Sequence, residues 1–447
     1  MIRKDLIHVY RRGLVAALLA GASLMTSTSG VHAQLGTEPD VYSTTLPNSL
    51  RVVVRERPSS RLAAITVGIR GGSRVENEVT LGSAHFMEHM FFQGTPRRPV
   101  LGDLDRDLEN LGGYSNAWTG AESINFQIVI PDHAFDIGLD IMADMMVNSD
   151  FPEDRFEKER KVVLEELNRS RDNPYQYAGE IFAQEIAQGH PLEKQPIGSR
   201  ATINNATRDV ILTYRDTYFV TSNMVVAVAG NIDHDSAFAK IAAAFAGMRQ
   251  GPRPDIPAIP PPPANPRRIG VPYSARQVQV SYGFAVPGAD SPDRYAIQVA
   301  DTVLSGVGQR LFTDIVDNEG LATSISSSYP EYTDMGIFEI DASTAPATVQ
   351  AVLDRIAAHL SRLATEPLSD DELQDAKLSI AGSLELRQES VSGLAQELSD
   401  GLALGNYMPI DEYVAHIQSV TAADVQRVAA QYLNPSKALI VTLPGTP

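Results

Sequence analysis

Residues 85–89 read His-Phe-Met-Glu-His. On a helix, His85, Glu88 and His89 stand at i, i+3 and i+4 and project from one face. Two imidazoles on adjacent turns can chelate one Zn²⁺, and the glutamate then reaches a third atom bound to that ion, such as water. A catalytic zinc takes three protein ligands and leaves a fourth position for water. The pentapeptide therefore supplies two ligands and a base, and lacks a third ligand. The pattern is short and also arises by chance, in which case it is a helix with two surface or capping histidines.

The chain contains no cysteine, so a third ligand has to come from His, Asp or Glu. The downstream stretch EKERKVVLEELNR offers two glutamates seven residues apart, Glu159 and Glu166, on nearly the same helical face. Val162 and Val163 lie between them, which predicts a partly apolar face that packs inward. A carboxylate on such a face needs a partner. Zinc is one; an Arg or Lys is the other. If a metal is bound, it lowers the pKa of its water and polarises a scissile carbonyl. Glu88 is then placed to take the water proton and pass it to the leaving nitrogen. A second carboxylate, such as Glu159, would orient a ligating imidazole.

These residues need a scaffold, and the flanking patterns supply one. LRVVVRERP and LAAITVGIRGG read as strands ahead of the HFMEH helix. A glycine-ended helix, GDLDRDLENLGG, follows, then strands YSNAWTG and SINFQIVIP, and helices AFDIGLDIMADMMVNS and PEDRFEKERKVVLEELNRS. NMVVAVAGNID is a further strand and HDSAFAKIAAAFAGM a further helix. After a proline-rich run at 251–270, a similar series recurs: strand VQVSYGFAVPG, helix DRYAIQVADTVLSG, strands within SISSSYPEYTDMGIFEIDAST, two long helices and strand KALIVTLPG. The expectation is an α+β chain of two homologous domains, 34–250 and 271–447, each a mostly antiparallel sheet packed with helices. The run between them cannot enter helix or sheet interiors and reads as a semi-rigid linker. The second half has no counterpart of HFMEH.

With these blocks in place, HFMEHMFFQGT, LGGYSNAWTGAES and EKERKVVLEELNR together resemble the M16 family of inverzincin metallopeptidases, the pitrilysin, insulinase and mitochondrial processing peptidase group. The resemblance runs the length of the chain after its first residues. It implies half of a clamshell, with His85, His89 and Glu166 as zinc ligands, Glu88 as general base and Glu159 as the supporting carboxylate. In similar proteins the Asn-Ala-x-Thr stretch is an edge strand that adds a peptide substrate by backbone hydrogen bonds. Asn116 and Ala117 match it. Trp118 stands where Tyr or Phe is usual, Gly120 and Ala121 depart from the common charged pattern, and core packing explains Trp118 as well as substrate contact does.

The second half departs from the family in a telling place. SGVGQRLFTDIVDNEGLATS resembles a segment that commonly carries an Arg and a Tyr seven apart, which contact substrate from the opposite half of the clam. Here those positions are Val316 and Thr323, and neither offers a charged or phenolic hydrogen bond. The resemblance thus implies a partner, a related subunit that supplies the Arg and Tyr; nearby Arg310 has a structural ion pair as its alternative role. His133, His190, His234, His359 and His416 show no ligand spacing and read as structural or surface residues, with His359 expected on an exposed helix face.

Bulk properties narrow the setting. Hydrophobic residues at 43% and charged residues at 21% fit a soluble globular protein of more than one domain. A net charge of −18 without a basic stripe argues against nucleic-acid binding. The first 33 residues pair a basic stretch with the short apolar run LVAALLAGASLM and a small-x-small site ending at Ala33, the pattern of a secretory signal peptide. Export without cysteines points to a bacterial periplasm, with no stable membrane anchor after cleavage. Two other classes stay open on sequence: a non-catalytic peptide-binding or assembly subunit, and a metal hydrolase of non-peptide amides.

Overall fold

A computed structural model describes residues 33–34, 38–306 and 308–444. The expected signal peptide lies outside the described residues except for Ala33. Two sheets organise the chain. The first contains β1 (Ala33–Gln34), β2 (Val41–Thr45), β3 (Arg51–Glu56), β4 (Leu62–Arg70), β5 (Tyr114–Thr119), β6 (Ser123–Pro131) and β7 (Met224–Gly230), in the order β1-β2-β3-β7-β4-β6-β5. The second contains β8 (Arg267–Gly270), β9 (Val278–Val286), β10 (Ala322–Ser328), β11 (Gly336–Thr344) and β12 (Leu439–Leu443), in the order β10-β11-β9-β12-β8.

The two orders are the same topology. Strands β3 to β7 map one to one onto β8 to β12, down to the single parallel pair, β3 with β7 and β8 with β12, among otherwise antiparallel neighbours. The expected α+β fold of two homologous domains is thus present. The HFMEH helix of the first half corresponds to the helix after β9 in the second, RYAIQVADTVL, which carries no histidine.

Helices cover both faces. In chain order they are α1 (Ser83–Phe91), α2 (Asp103–Glu109), α3 (Phe135–Asn148), α4 (Glu153–Asp172), α5 (Pro174–Ile186), α6 (Arg200–Asn205), α7 (Arg208–Tyr218) and α8 (His234–Ala244). The second half adds α9 (Arg294–Leu304), α10 (Val349–Thr365), α11 (Asp370–Gln388), α12 (Val391–Leu404), α13 (Ile410–Ser419) and α14 (Ala422–Tyr432). Among the described residues no helix is long and apolar enough to cross a membrane.

The halves exchange a helix. α12 belongs to the second half in sequence but lies on the first sheet, where Val391, Leu394 and Ala395 pack on Ala64, Val129 and Ala229, and Leu398 and Leu402 pack on Val53 and Val225. α5 does the reverse, setting Phe182 among Met335, Ile337, Leu439 and Val441 of the second half. The exchange explains why β4 and β7 are almost continuously apolar: both of their faces are covered. Gly68 on β4 lets α12 approach, since a Cβ there would stand 2.2 Å from Ser399 Oγ.

The proline-rich connector is pinned rather than free. Arg70 donates to Ile256 O at 3.0 Å, Arg74 to Pro257 O at 3.0 Å, and Ile259 N donates to Asp334 Oδ2 at 2.5 Å. Arg74 also pairs with Glu122 at 2.7 Å and with Asp334, a buried network that joins the first half, the connector and the second half.

Candidate metal centre

α1 places the chemistry. Its buried side, Phe86, Met87, Met90 and Phe91, joins the main core, which turns His85, Glu88 and His89 together toward a partly open face. The helix starts at Gly82 without a side-chain cap of its own. Instead the buried carboxylate of Glu76 accepts from Gly82 N at 2.8 Å and Ala84 N at 2.7 Å, satisfying orphan donors of the first turn. Burial pushes Glu76 up to about 8 against those same hydrogen bonds.

α4 supplies the carboxylates. Acidic residues Glu153 and Asp154 lead it and Arg169 and Arg171 end it, in accord with the helix dipole. Its buried stripe is Phe156, Val163 and Leu167, and Phe156 stacks on Phe86 of α1 at 4.5 Å between ring centres. Glu159 and Glu166 each follow this stripe by three residues and so face α1. The expectation that Val162 packs inward with Val163 is corrected: Val163 is fully buried, while Val162 is 42% exposed, a residue step of about 100° having carried it off the stripe.

The resulting geometry is compact. His89 Nε2 lies 3.3 Å from Glu166 Oε2 and His85 Nε2 lies 3.7 Å from the same oxygen. The two imidazole centres are 4.8 Å apart. Bonds of about 2.0–2.1 Å around a tetrahedral zinc leave ligand atoms about 3.3–3.4 Å apart, so this His₂Glu set fits such an ion. On its other edge, His89 Nδ1 meets Glu159 Oε2 at 3.1 Å. His85 Nδ1 is buried with no hydrogen-bond partner among the described residues. A second trio, Glu56, Asp233 and His234, also gathers, but it sits at the start of α8, where His234 stacks on Tyr42 and bonds Glu56 as part of that helix end.

Electrostatics separate the two imidazoles. Burial, aided by His89, pulls His85 down to about 4, which keeps it neutral. Burial also pulls His89 down, but Glu159 and Glu166 outweigh it and raise His89 to about 9. His89 holds Glu166 below the usual carboxylate range against some desolvation. Glu88 is raised, because its burial outweighs the hydrogen bond it accepts from Thr119 Oγ1 at 2.5 Å.

The expected substrate strand is β5, which lies at the open edge of the first sheet. Its register with β6 sets Ser115, Ala117 and Thr119 on the α1 side and Tyr114, Asn116 and Trp118 on the α12 side. Asn116 is exposed, Ala117 packs against the core, and Trp118 points away from His85 and His89. In the second half, Val316 packs against the core and Thr323 bonds Ser343 O and Gln277 on edge strand β10. Arg310 pairs with Glu372 at 2.7 Å, the structural ion pair. The expected exposure of His359 is corrected: it is buried, with Nε2 at 2.9 Å from Asp314 Oδ2 compensating the desolvated ring. Sequence reasoning missed Thr119 and Glu76; the alternation of β5 with Ala117 toward the core was a readable signal for the former.

Comparison with known proteins decides the family. Residues 51–199 match Insulinase (Peptidase family M16), and residues 205–380 match the Peptidase M16 inactive domain. The chain belongs to peptidase family M16. It is 31% identical over 402 residues to an uncharacterized zinc protease of Mycobacterium leprae, covering 88% of this chain and 89% of that one. A probable mitochondrial-processing peptidase subunit beta of Arabidopsis thaliana is 29% identical over 423 residues, covering 90% of this chain and 78% of that one. Among solved structures, a protease from Helicobacter pylori superposes with a TM-score of 0.85 at 26% identity, covering 91% of this M16 chain and 99% of that one. A putative M16-like peptidase from Alicyclobacillus acidocaldarius shares the fold at a TM-score of 0.80 and 19% identity, covering 92% and 99%. The fold is that of an M16 clamshell half.

Proposed function

We propose that this M16 chain is the catalytic subunit of an exported zinc endopeptidase that cleaves short or unstructured peptides. The observation that carries the reading is the convergence of His85 Nε2, His89 Nε2 and Glu166 Oε2 on one point beside Glu88. The relatives named zinc proteases support zinc as the ion, and His₂Glu is a catalytic zinc set. Zinc held by these three residues would supply Lewis-acid polarisation of water and of the scissile carbonyl.

The chain's own residues do the rest. Glu88 accepts a proton at its carboxylate from the attacking water and delivers it to the amide nitrogen as that bond breaks. Its raised pKa moves it toward the range where both transfers are favourable. Glu159 fixes the His89 ring through Nδ1, leaving Nε2 for the ion. The open edge of β5 receives an extended peptide, with Asn116 and Ala117 on the receiving strand.

Val316 and Thr323 favour an obligate related subunit that brings an Arg and a Tyr to the site, and the first 33 residues favour a periplasmic location. The second reading, a non-catalytic assembly or peptide-binding subunit, is favoured by the match of residues 205–380 to the Peptidase M16 inactive domain and by a solved structure of the same fold described by that name; the complete His85-Glu88-His89-Glu166 set weighs against it.

The test is degradation of an unstructured peptide by protein purified from its native host, with and without a chelator, and with Glu88→Gln as control. Chelator-sensitive cleavage lost in the variant is expected. Cleavage unchanged by Glu88→Gln would refute the proposed base, and full activity from the isolated chain would refute the partner.

A further inference from the structure

We infer that Thr119 is a positioning residue for Glu88, and that it ties the setting of the general base to the strand that receives the peptide. The inference rests on the peptidase reading above. Thr119 is the last residue of β5, and its hydroxyl donates to Glu88 Oε2 at 2.5 Å. Among the described residues this is the one hydrogen bond made by the Glu88 carboxylate. A glutamate at this point of a helix has three rotatable bonds, so a single short contact decides where its oxygens lie. With Oε2 engaged by Thr119, Oε1 is the oxygen left to take a proton from water. After that transfer the hydroxyl still donates to Oε2, so the contact survives both protonation states.

The hydroxyl is itself held firmly. Thr119 pairs with Ile124 across the hairpin, on the face that meets α1. The turn that follows closes with Gly120 N donating to Ser123 O at 2.8 Å. Ser73 N and Arg74 N then donate to Gly120 O and Ala121 O. Gly72, at φ 73°, permits this approach: a Cβ there would stand 2.3 Å from Gly120 O. Glu122, in the same turn, is clamped by Arg74 and accepts from Thr333 N at 2.9 Å. The tip of the hairpin is therefore anchored to both halves of the chain, and Thr119 transmits that anchoring to the base.

The other end of β5 is held by the first half alone: Ser115 Oγ donates to Asp105 Oδ1 of α2 at 2.8 Å, while Tyr114 and Asn116 are exposed at the sheet edge. A peptide adding to this edge pairs with the strand that carries the Thr119 hydroxyl. A docked peptide therefore hydrogen-bonds the same strand that orients Glu88, which sets substrate register and base position from one element.

The experiment compares wild type with Thr119→Val, which keeps shape and strand propensity, and Thr119→Ser, which keeps the hydroxyl. The readouts are kcat and KM on an unstructured peptide, bound zinc, Tm, and the Glu88 side chain in crystals of the metal-free protein. Thr119→Val is expected to lose about 10- to 100-fold in kcat, the scale of a hydrogen bond to a charged group. KM, bound zinc and Tm should stay near wild type. Glu88 should occupy one rotamer in wild type and Thr119→Ser and several in Thr119→Val, and Thr119→Ser should keep kcat within about threefold.

Wild-type kcat in Thr119→Val would overturn the inference. So would a loss accompanied by falling zinc or Tm, or equal damage in Thr119→Ser. With all variants assayed as protein purified from the native host, an inactive wild type would sink the peptidase reading, while the rotamer comparison would still decide the Thr119 contact.

Discussion

His89 and Glu159 meet edge to edge, Nδ1 to Oε2 at 3.1 Å, on the side of the imidazole away from Glu166. This contact fixes the ring's orientation and, in the neutral ring, favours the proton on Nδ1. Glu159 lies on the same face of α4 as Glu166, so one helix supplies both a ligand candidate and the support for another.

Glu159→Gln should therefore weaken zinc binding about 10- to 100-fold while leaving both histidines and Glu166 in place. Competition with a chromophoric chelator measures it. Equal affinity in the variant would show that Glu159 is a bystander.

Glu76→Ala removes the carboxylate that accepts from Gly82 N and Ala84 N at the start of α1. Two buried donors are then left without partners, at a cost of about 1–3 kcal/mol each at most. Urea unfolding should register a loss in that range, and bound zinc should fall with it because α1 carries His85 and His89. A variant with normal stability would mean that the first turn of α1 is held by packing alone.

Asp301 offers a pH signature away from the metal. Burial raises its carboxyl to about 6, against a hydrogen bond from Ser327 at 2.6 Å. The folded chain thus prefers the protonated acid. The stability this confers is complete below the unfolded value of about 3.8 and is lost as pH rises through about 6. Asp301→Asn keeps an acceptor for Ser327 and carries no charge, so it should raise Tm at pH 7–8 by the equivalent of about 3 kcal/mol and leave it nearly unchanged at pH 4. An equal shift at both pH values would point to packing instead.

The helix exchange predicts that the halves unfold together. Leu394 on α12 is buried against the first sheet although it belongs to the second half in sequence. Leu394→Ala should cost about 2–5 kcal/mol. Calorimetry should still show one transition, displaced as a whole. Two separated transitions would mean that each half is stable without the helix it receives.

Much of this was legible in the residues. HFMEH and the Glu159–Glu166 pair could be read because ligand chemistry depends on side-chain identity and on a fixed 3.6-residue period. The recurring series of elements could be read because most strands announce themselves by alternation or by an apolar run; β8 (Arg267–Gly270) could not, and the linker expected over 251–270 is corrected, since its last four residues carry no apolar run and form an edge strand of the second sheet. The partner sheets of α5 and α12 could not: an apolar stripe says that a helix is covered, not which sheet covers it. Val162 and His359 were misread for a related reason. A single residue step separates core from solvent on α4, and the carboxylate of Asp314, far away in sequence, is what makes a buried His359 tolerable.

The exchange also bears on how the chain is made. β7 ends at Gly230, but α12, which covers β4 and β7, begins only at Val391. During synthesis the first sheet waits, with one apolar face bare, until most of the second half has emerged. Contacts between such distant segments form slowly, because the long intervening chain must be closed before they reward folding. The nascent protein therefore stays incompletely folded nearly to its end, and for that interval it depends on whatever shields its exposed apolar surface from other chains.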